Sequence, residues 1–108
     1  MSYKIFPIPS FERQLKQLSS KYPSLKKEYL ELVELLEVNP VSGVKIGKNC
    51  YKIRLAIASK GKGKSGGARV ITNIIITESV VYLLSIYDKS EKENLSDEEL
   101  QELLKMLP

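Results

Sequence analysis

Apolar residues early in the chain recur at helical spacing, in two blocks. A short strand from Tyr3 to Ile8 is predicted ahead of them and ends at prolines. Ser10 then offers an N-cap for the first helix. The apolar face of this helix consists of Phe11, Leu15, Leu18 and Tyr22. The second helix follows a break at Pro23 and stops at Asn39 and Pro40; its apolar positions are Leu25, Tyr29, Leu32, Val33 and Leu36. Two helices joined by a short turn form an αα-hairpin.

The pattern then changes to the period of two that is typical of strands. Along residues 52–57 apolar and basic positions alternate at first, so Lys52 and Arg54 share one face of the predicted strand. Residues 68–76 and 80–87 are rich in β-branched side chains and predict two more strands. The intervening residues 59–67 contain four glycines and predict a hairpin loop.

A last helix completes the predicted fold. Ser96 and Glu99 have the spacing of a capping box. The apolar stripe that follows consists of Leu100, Leu103, Leu104 and Leu107. The predicted order is β-α-α-β-β-β-α. Because consecutive strands with short links pair antiparallel, we predict an α+β fold with a small antiparallel sheet, an N-terminal αα-hairpin and a C-terminal helix. No repeat or boundary divides the chain, so residues 1–108 are expected to form a single domain.

Composition excludes several classes of function. The chain has 108 residues, of which 43% are hydrophobic and 28% charged, as in ordinary globular domains. It has no histidine and a single cysteine, Cys50, which is expected to be buried in a strand. Zinc sites built from Cys and His, internal disulfides and imidazole catalysis are therefore excluded, and we expect no metal or other cofactor. Neither a signal peptide nor a membrane span is apparent, so a cytoplasmic location is expected.

Positive charge is concentrated in the middle of the chain. No acidic residue occurs between Glu37 and Glu78, whereas eight basic ones do: Lys45, Lys48, Lys52, Arg54, Lys60, Lys62, Lys64 and Arg69. From Asp88 to Glu102, seven acidic residues face two basic ones. This asymmetry predicts one face for a polyanion and a separate acidic face, with ordinary solvated surface as the alternative.

The candidate site lies around the glycine-rich loop. The loop is not a P-loop, because Ala58 stands where that motif requires glycine. It is better interpreted as a cationic loop that wraps phosphates through Lys60, Lys62 and Lys64. Arg69 follows on a strand, where its guanidinium could clamp a phosphate beside Lys52 and Arg54. Tyr87, at the end of the last strand, could share that face.

Several blocks of this sequence resemble the RelE/HigB superfamily, the toxin halves of bacterial type II toxin–antitoxin modules. The blocks are residues 51–54 (YKIR), 61–71 (GKGKSGGARVI), 81–89 (VYLLSIYDK) and 93–96 (ENLS). The resemblance covers roughly residues 11–104. It implies the fold predicted above, cleavage of mRNA in the ribosomal A site with inhibition of translation, and silencing by a cognate antitoxin. The implied partners are therefore that antitoxin, in a hetero-oligomer, together with the ribosome and mRNA, and no membrane.

The resemblance also assigns residues. Arg69 matches the arginine that contacts the scissile phosphate, the three loop lysines match the family's basic loop, and Lys89 matches a basic position after the last strand. Many RelE proteins have a C-terminal catalytic tyrosine. None follows Tyr87 here, which makes Tyr87 the candidate substitute.

A metal-independent cleavage is the mechanism that fits these residues. The 2′-OH attacks the adjacent phosphate, which requires a base, stabilisation of the phosphorane and an acid. Arg54 and Arg69 suit the second role, Lys52 or a loop lysine the first, and Tyr87 or Lys89 the third. Lys45 and Lys48 are expected to add to RNA binding.

Two alternatives remain beside this endoribonuclease. The first is a catalytically weak or inactive module of the same fold that binds RNA or antitoxin. The second is a DNA-interacting subunit of the toxin–antitoxin complex, although no helix-turn-helix signal is present. An antitoxin is expected to cover the basic sheet face or to displace the C-terminal helix.

Overall fold

Three helices and five strands make up the computed structural model, which describes residues 2–61 and 66–108. In chain order they are β1 (Lys4–Pro7), α1 (Pro9–Lys21), α2 (Leu25–Val38), β2 (Val44–Gly47), β3 (Cys50–Leu55), β4 (Ala68–Ile75), β5 (Val80–Asp88) and α3 (Asp97–Leu104). Short 3-10 turns occupy Ala58–Lys60 and Ile76–Glu78. The α+β fold class, the N-terminal αα-hairpin and the C-terminal helix are confirmed.

The sheet has the strand order β1-β5-β4-β3-β2. β2 to β5 pair antiparallel with their sequence neighbours, as predicted, but β1 pairs parallel with β5. The sheet is therefore mixed rather than purely antiparallel. The cause is the αα-hairpin, which carries the chain from one edge of the sheet to the other before the antiparallel strands run back towards β1.

Strand β2 was not among the predicted elements. It is four residues long, and three of its side chains are exposed, so it lacks the alternation that marks a strand with one buried face. A two-residue turn at Lys48 and Asn49 joins it to β3, and both residues have positive φ, at 54° and 61°. Asn tolerates that conformation and was the available signal for this hairpin, whereas Lys is an uncommon choice there.

The two predicted N-caps have different outcomes. Ser10 is not the cap of α1, because the helix already begins at Pro9, whose fixed φ suits the first helical turn. Its hydroxyl is buried and instead donates to the Leu84 carbonyl, at 3.4 Å. Ser96 does cap α3: the Glu99 N–H donates to its Oγ at 3.1 Å, and its own N–H donates to Glu99 Oε1 at 3.0 Å.

Helices cover both faces of the sheet. Register places Ile53, Val70 and Ile86 in one row, and Ile53 meets Leu32 of α2. The next row along the strands points to the opposite face, because side chains alternate in a strand. There Ile71 and Leu100 of α3 line the same cavity. The αα-hairpin therefore packs on one face of the sheet and α3 on the other.

A side chain from α1 covers the part of β5 that β1 does not reach. The parallel pairing ends at Leu83, so the remainder of β5 has a free edge on that side. The Ile86 N–H donates to Gln14 Oε1 at 3.0 Å, and the Ser85 hydroxyl donates to the same oxygen at 3.1 Å. This contact satisfies strand groups that would otherwise be open to another chain.

Candidate functional site

Three of the predicted site residues stand side by side across the sheet. Arg54 of β3 lies directly opposite Arg69 of β4, and Arg69 lies directly opposite Tyr87 of β5. We call these three residues the site row. Lys52 is two residues from Arg54 along β3 and lies on the same face. Neighbouring strands are about 4.8 Å apart, so the row extends over two strand spacings, about 10 Å.

Burial differs sharply along the site row. Arg54 is exposed, whereas Arg69 is 4% and Tyr87 8% exposed. Arg69 Nη1 donates to the carbonyl oxygen of Ala68 at 3.1 Å, which orients the guanidinium. The row therefore runs from a solvent-facing cation to a buried cation and a buried phenol.

The Tyr87 hydroxyl is buried against the site row. Among the described residues it has no hydrogen-bond partner of normal geometry. Burial raises the pKa of the phenol, against the opposing effects of the Arg69 charge and the Leu95 backbone, and Glu99 raises it further. Tyr87 is therefore a neutral phenol at physiological pH, able to donate a proton and unable to act as a base.

A cavity of about 230 Å³ lies beneath the start of α3, against the site row. It is lined by Ile46, Lys52, Ile71, Tyr87, Asn94, Leu95, Ser96, Asp97 and Leu100. The Lys52 ammonium donates to Asn94 Oδ1 at 3.1 Å. An amine and a phenol thus converge on one polar cavity.

The acidic end of the chain was expected on a separate face, and this expectation is wrong. Asp97 lines the cavity with Lys52 and Tyr87, and Glu99 and Glu102 line a neighbouring one with Tyr87. The apolar stripe of α3, through Leu100, is what brings these acids to the site, because it packs onto the sheet. The packing of α3 determines where these acidic residues lie, and the charge pattern of the sequence alone could not predict this position.

The other predicted cations are more scattered. Lys89 follows the site row and pairs with Glu93 at 3.4 Å, while its N–H donates to the Gly67 carbonyl at 3.0 Å. Lys45 and Lys48 are exposed, near the far edge of the sheet. Lys45 pairs with Tyr51, so its side chain points to the face opposite Lys52. Lys62 and Lys64 lie outside the described residues.

Lys60 has a buried environment that the sequence did not indicate. Its ammonium contacts the carboxylate of Asp88, and the two side chains are 9% and 0% exposed. Asp88 also accepts hydrogen bonds from the Tyr22 hydroxyl at 2.7 Å, the Ser90 N–H at 2.9 Å and the Ser90 hydroxyl at 2.7 Å. Burial alone would raise the pKa of this carboxyl, but the hydrogen bonds from Lys60, Ser90 and Tyr22 outweigh it and hold the pKa well below its usual range.

A larger apolar groove lies between α2 and the β2–β3 hairpin and was also missed. We define the apolar groove by Leu32, Leu35, Val44, Ile53 and Leu55; it is open and has a volume of about 1010 Å³. Val38, at the end of α2, and Val41, in the connection to β2, are exposed apolar residues near it. The sequence signal was Leu35, an apolar residue outside the predicted core face of its helix.

Two kinds of feature are absent from the described residues. No helix among them is both long and apolar enough to cross a membrane. No group of three or more potential His, Cys, Asp or Glu ligands is gathered there. Cys50 is buried in β3, as expected, and burial raises the pKa of its thiol.

Comparison with known proteins places this architecture. A family model described as the RelE toxin of the RelE/RelB toxin–antitoxin system matches residues 4–107. The isolated E. coli RelE toxin is similar over 98% of this chain and 100% of its own, with 20% identity and a TM-score of 0.59.

Two toxin–antitoxin complexes contain similar chains. The RelBE2 complex from Mycobacterium tuberculosis matches over 82% of this chain and 92% of that one, with 15% identity and a TM-score of 0.59. The RelE–RelB complex from Pyrococcus horikoshii OT3 matches over 82% and 97%, with 18% identity and a TM-score of 0.57. At such identities these structures show the shared fold, and the family model covers nearly the whole chain. The protein belongs to the RelE family, the toxins of toxin–antitoxin systems.

Proposed function

We propose that this toxin is a ribosome-dependent endoribonuclease that cleaves mRNA and thereby stops translation. The observation that carries the proposal is the site row. In this row, two guanidinium groups and a neutral phenol lie at directly paired positions of three neighbouring strands. Permanently charged arginines suit the extra negative charge of a phosphorane, and a protonated phenol suits a leaving oxygen.

The proposed reaction is an internal transfer within the RNA. The ribose 2′-oxygen forms a bond to phosphorus while the bond from phosphorus to the 5′-oxygen breaks, which leaves a 2′,3′-cyclic phosphate and a 5′-hydroxyl. Lys52, after its ammonium has lost a proton to solvent, takes the proton of the 2′-OH as a neutral amine, and Tyr87 gives a proton to the departing oxygen. Arg69 and Arg54 stabilise the charge on the phosphate oxygens between these two transfers.

The ribosome supplies what this small site lacks. The cavities that Tyr87 lines are small, with volumes of about 230 to 450 Å³. Such a site cannot enclose several nucleotides. Alignment of the mRNA by a large RNA partner would provide the orientation of the 2′-OH, phosphorus and 5′-oxygen that the reaction needs. Lys89, Lys45, Lys48, Lys62 and Lys64 remain proposed RNA contacts.

The proposed protein partner is an antitoxin that docks in the apolar groove. Solved relatives are complexes of RelE with RelB. The groove lies beside β2, an edge strand with unpaired backbone groups, and carries exposed Val44, Leu35 and Val38. An apolar segment of an antitoxin would bury these side chains and complete the strand edge.

Cleavage of an mRNA programmed into purified ribosomes tests the activity directly. We expect a cut in the A-site codon, mapped by primer extension, that is absent with the same mRNA free in solution. Arg69→Ala should abolish it, with a loss of about 100-fold or more for a charge-stabilising group. Lys105→Ala is the matched control, because Lys105 is exposed and pairs only with Glu102 among the described residues. An unchanged rate in Arg69→Ala would contradict the assignment of the site.

A second candidate function is supported by the burial of the site row. Arg69 and Tyr87 are both buried, and Tyr87 lines the cavity beneath the start of α3, which limits access of a phosphate to them. A RelE-fold module that binds RNA or antitoxin without cutting is consistent with this. Salt-sensitive ribosome binding with no cut on any mRNA would identify it, and growth would then tolerate expression of the protein alone.

A further inference from the structure

The most completely bonded polar group outside the site row is Asp88. Its carboxylate receives the Lys60 ammonium, the Tyr22 hydroxyl and two groups of Ser90, and its side chain is fully buried. Lys60 also donates to the Ser90 hydroxyl at 3.1 Å and lies 5.7 Å from the centroid of the Tyr22 ring. We call Tyr22, Lys60, Asp88 and Ser90 the Asp88 cluster.

The Asp88 cluster joins three separate parts of the fold. Tyr22 is the C-cap of α1, Lys60 ends the turn that follows β3, and Asp88 is the last residue of β5. The opposite end of the β3–β4 connection is fixed to the same place, because the Lys89 N–H donates to the Gly67 carbonyl at 3.0 Å. Gly67 packs tightly there: an added Cβ would lie 2.1 Å from the Leu55 carbonyl oxygen.

These contacts lie one residue from the site row. Asp88 follows Tyr87 directly and stands opposite Ala68 in the β4–β5 pairing. The carbonyl of Ala68 is the acceptor that orients the Arg69 guanidinium, at 3.1 Å. A shift at the end of β5 would therefore move the phenol and, through Ala68, the guanidinium. Displacements of about 1 Å can reduce catalysis by about 100-fold.

We propose that Asp88, paired with Lys60, is a positioning residue for RNA cleavage, and that Lys60 acts through this carboxylate rather than by contacting phosphate. This inference rests on the proposed function. The buried ion pair fixes one arrangement of the strand ends, since a buried charge tolerates few alternative partners. Lys60 then helps to hold the site residues in place and is not part of the RNA-binding surface.

A double-mutant cycle with Lys60→Met and Asp88→Asn tests this role. Single-turnover cleavage on ribosomes and ribosome binding against salt concentration are measured for each variant, below the melting temperature of all of them. We expect each single variant to cleave about tenfold or more slowly. The double variant should be no slower than the slower single one, because both remove the same interaction. The salt dependence of binding should not change.

Two further variants separate positioning from loss of folding. Tyr22→Phe removes one hydrogen bond to Asp88 and keeps the ring, so it should fold and show a smaller decrease in rate. Lys60→Arg retains the charge and should restore most of the rate lost in Lys60→Met. Lys105→Met is the control, since it removes an exposed lysine paired with Glu102 and should leave the rate unchanged.

Distinct results would overturn the inference. If Lys60→Met lowered the log–log salt slope by about 0.7 while Asp88→Asn cleaved normally, Lys60 would be a phosphate contact. If Lys60→Met and Asp88→Asn both fold and both cleave mRNA at the wild-type rate, the Asp88 cluster only stabilises the fold. A wild-type protein that does not cleave would refute the proposed function itself, and positioning with it, whereas the first two results leave that function intact.

Discussion

Tyr87 has two properties that are rarely combined in a stabilising core residue. Its ring is buried in the sheet, and its hydroxyl has no normal hydrogen-bond partner within the described part of the chain. A buried polar group without a partner costs about 1–3 kcal/mol of stability. Because this hydroxyl lacks a hydrogen bond of normal geometry, its presence beside Arg69 is better explained by chemistry than by packing.

Tyr87→Phe should therefore separate stability from activity. Removing the unpartnered hydroxyl is expected to leave the free energy of unfolding unchanged or to raise it by about 1 kcal/mol. Ribosome-dependent cleavage should fall about 100-fold, the usual contribution of a general acid. Urea unfolding and single-turnover cleavage measure the two effects. A variant that is less stable and fully active would contradict both halves of this prediction.

The contribution of Asp88 to stability depends on pH. Its pKa is lowered by folding, so its interactions stabilise the native state above the ordinary aspartate pKa of about 3.9. That contribution is fully present at neutral pH and is lost as the pH falls from about 5 through the lowered folded value.

Asp88→Asn should be less stable than wild type at neutral pH, and the difference should narrow below about pH 4. Urea unfolding at a series of pH values measures this. Glu102→Gln is the control, because its carboxylate is exposed at the surface of α3. Parallel curves for wild type and Asp88→Asn would show that Asp88 is not the titrating group.

The stability of helix α3 depends strongly on the interactions at its N-terminal end and on its packing. It has only eight residues, too few for an isolated helix to be stable in water. The capping box of Ser96 and Glu99, the Lys92–Glu99 ion pair and the burial of Leu100 hold it over the cavity beside Tyr87. It covers the site and also brings Asp97 and Glu99 close to Tyr87.

Ser96→Ala should loosen this helix. Loss of the N-cap is expected to lower the free energy of unfolding by about 1 kcal/mol. The denaturant midpoint measures the change. Ser20→Ala serves as control: the Ser20 hydroxyl is exposed and bonds only within its own helix among the described contacts, to the Gln17 carbonyl. Equal effects of the two substitutions would argue against a special role for the cap.

The position of the apolar groove beside strand β2 predicts which surface substitutions weaken antitoxin binding. Val44→Asp places a charge on an exposed position of the groove and should weaken binding of the cognate antitoxin about tenfold or more. Ile76→Asp is the control, since Ile76 is also exposed but lies in the turn between β4 and β5. Calorimetric titration measures both affinities. Equal weakening by the two substitutions would move the docking surface away from the groove.

At the scale of the whole molecule, sequence patterns predicted most of the elements but not how they meet. The alternation of Lys52 with Arg54 was sufficient to place both on one face. That Arg54, Arg69 and Tyr87 share one row depends on register, which the long β3–β4 connection leaves open at the sequence level. Lys60 pairs with Asp88, 28 positions away, and no local pattern connects them. The short, exposed β2 has no periodicity to detect.

The pairing of β1 with β5 has a kinetic consequence. Residues 4–7 pair with residues 80–83, so two segments separated by most of the chain must come together during folding. Contacts of such high sequence separation form slowly. Tyr87 lies on the strand that this meeting fixes in place, so a partly folded chain lacks the complete site row. We expect toxicity to appear only with the last cooperative step of folding, which leaves a newly made chain an interval in which an antitoxin can bind first.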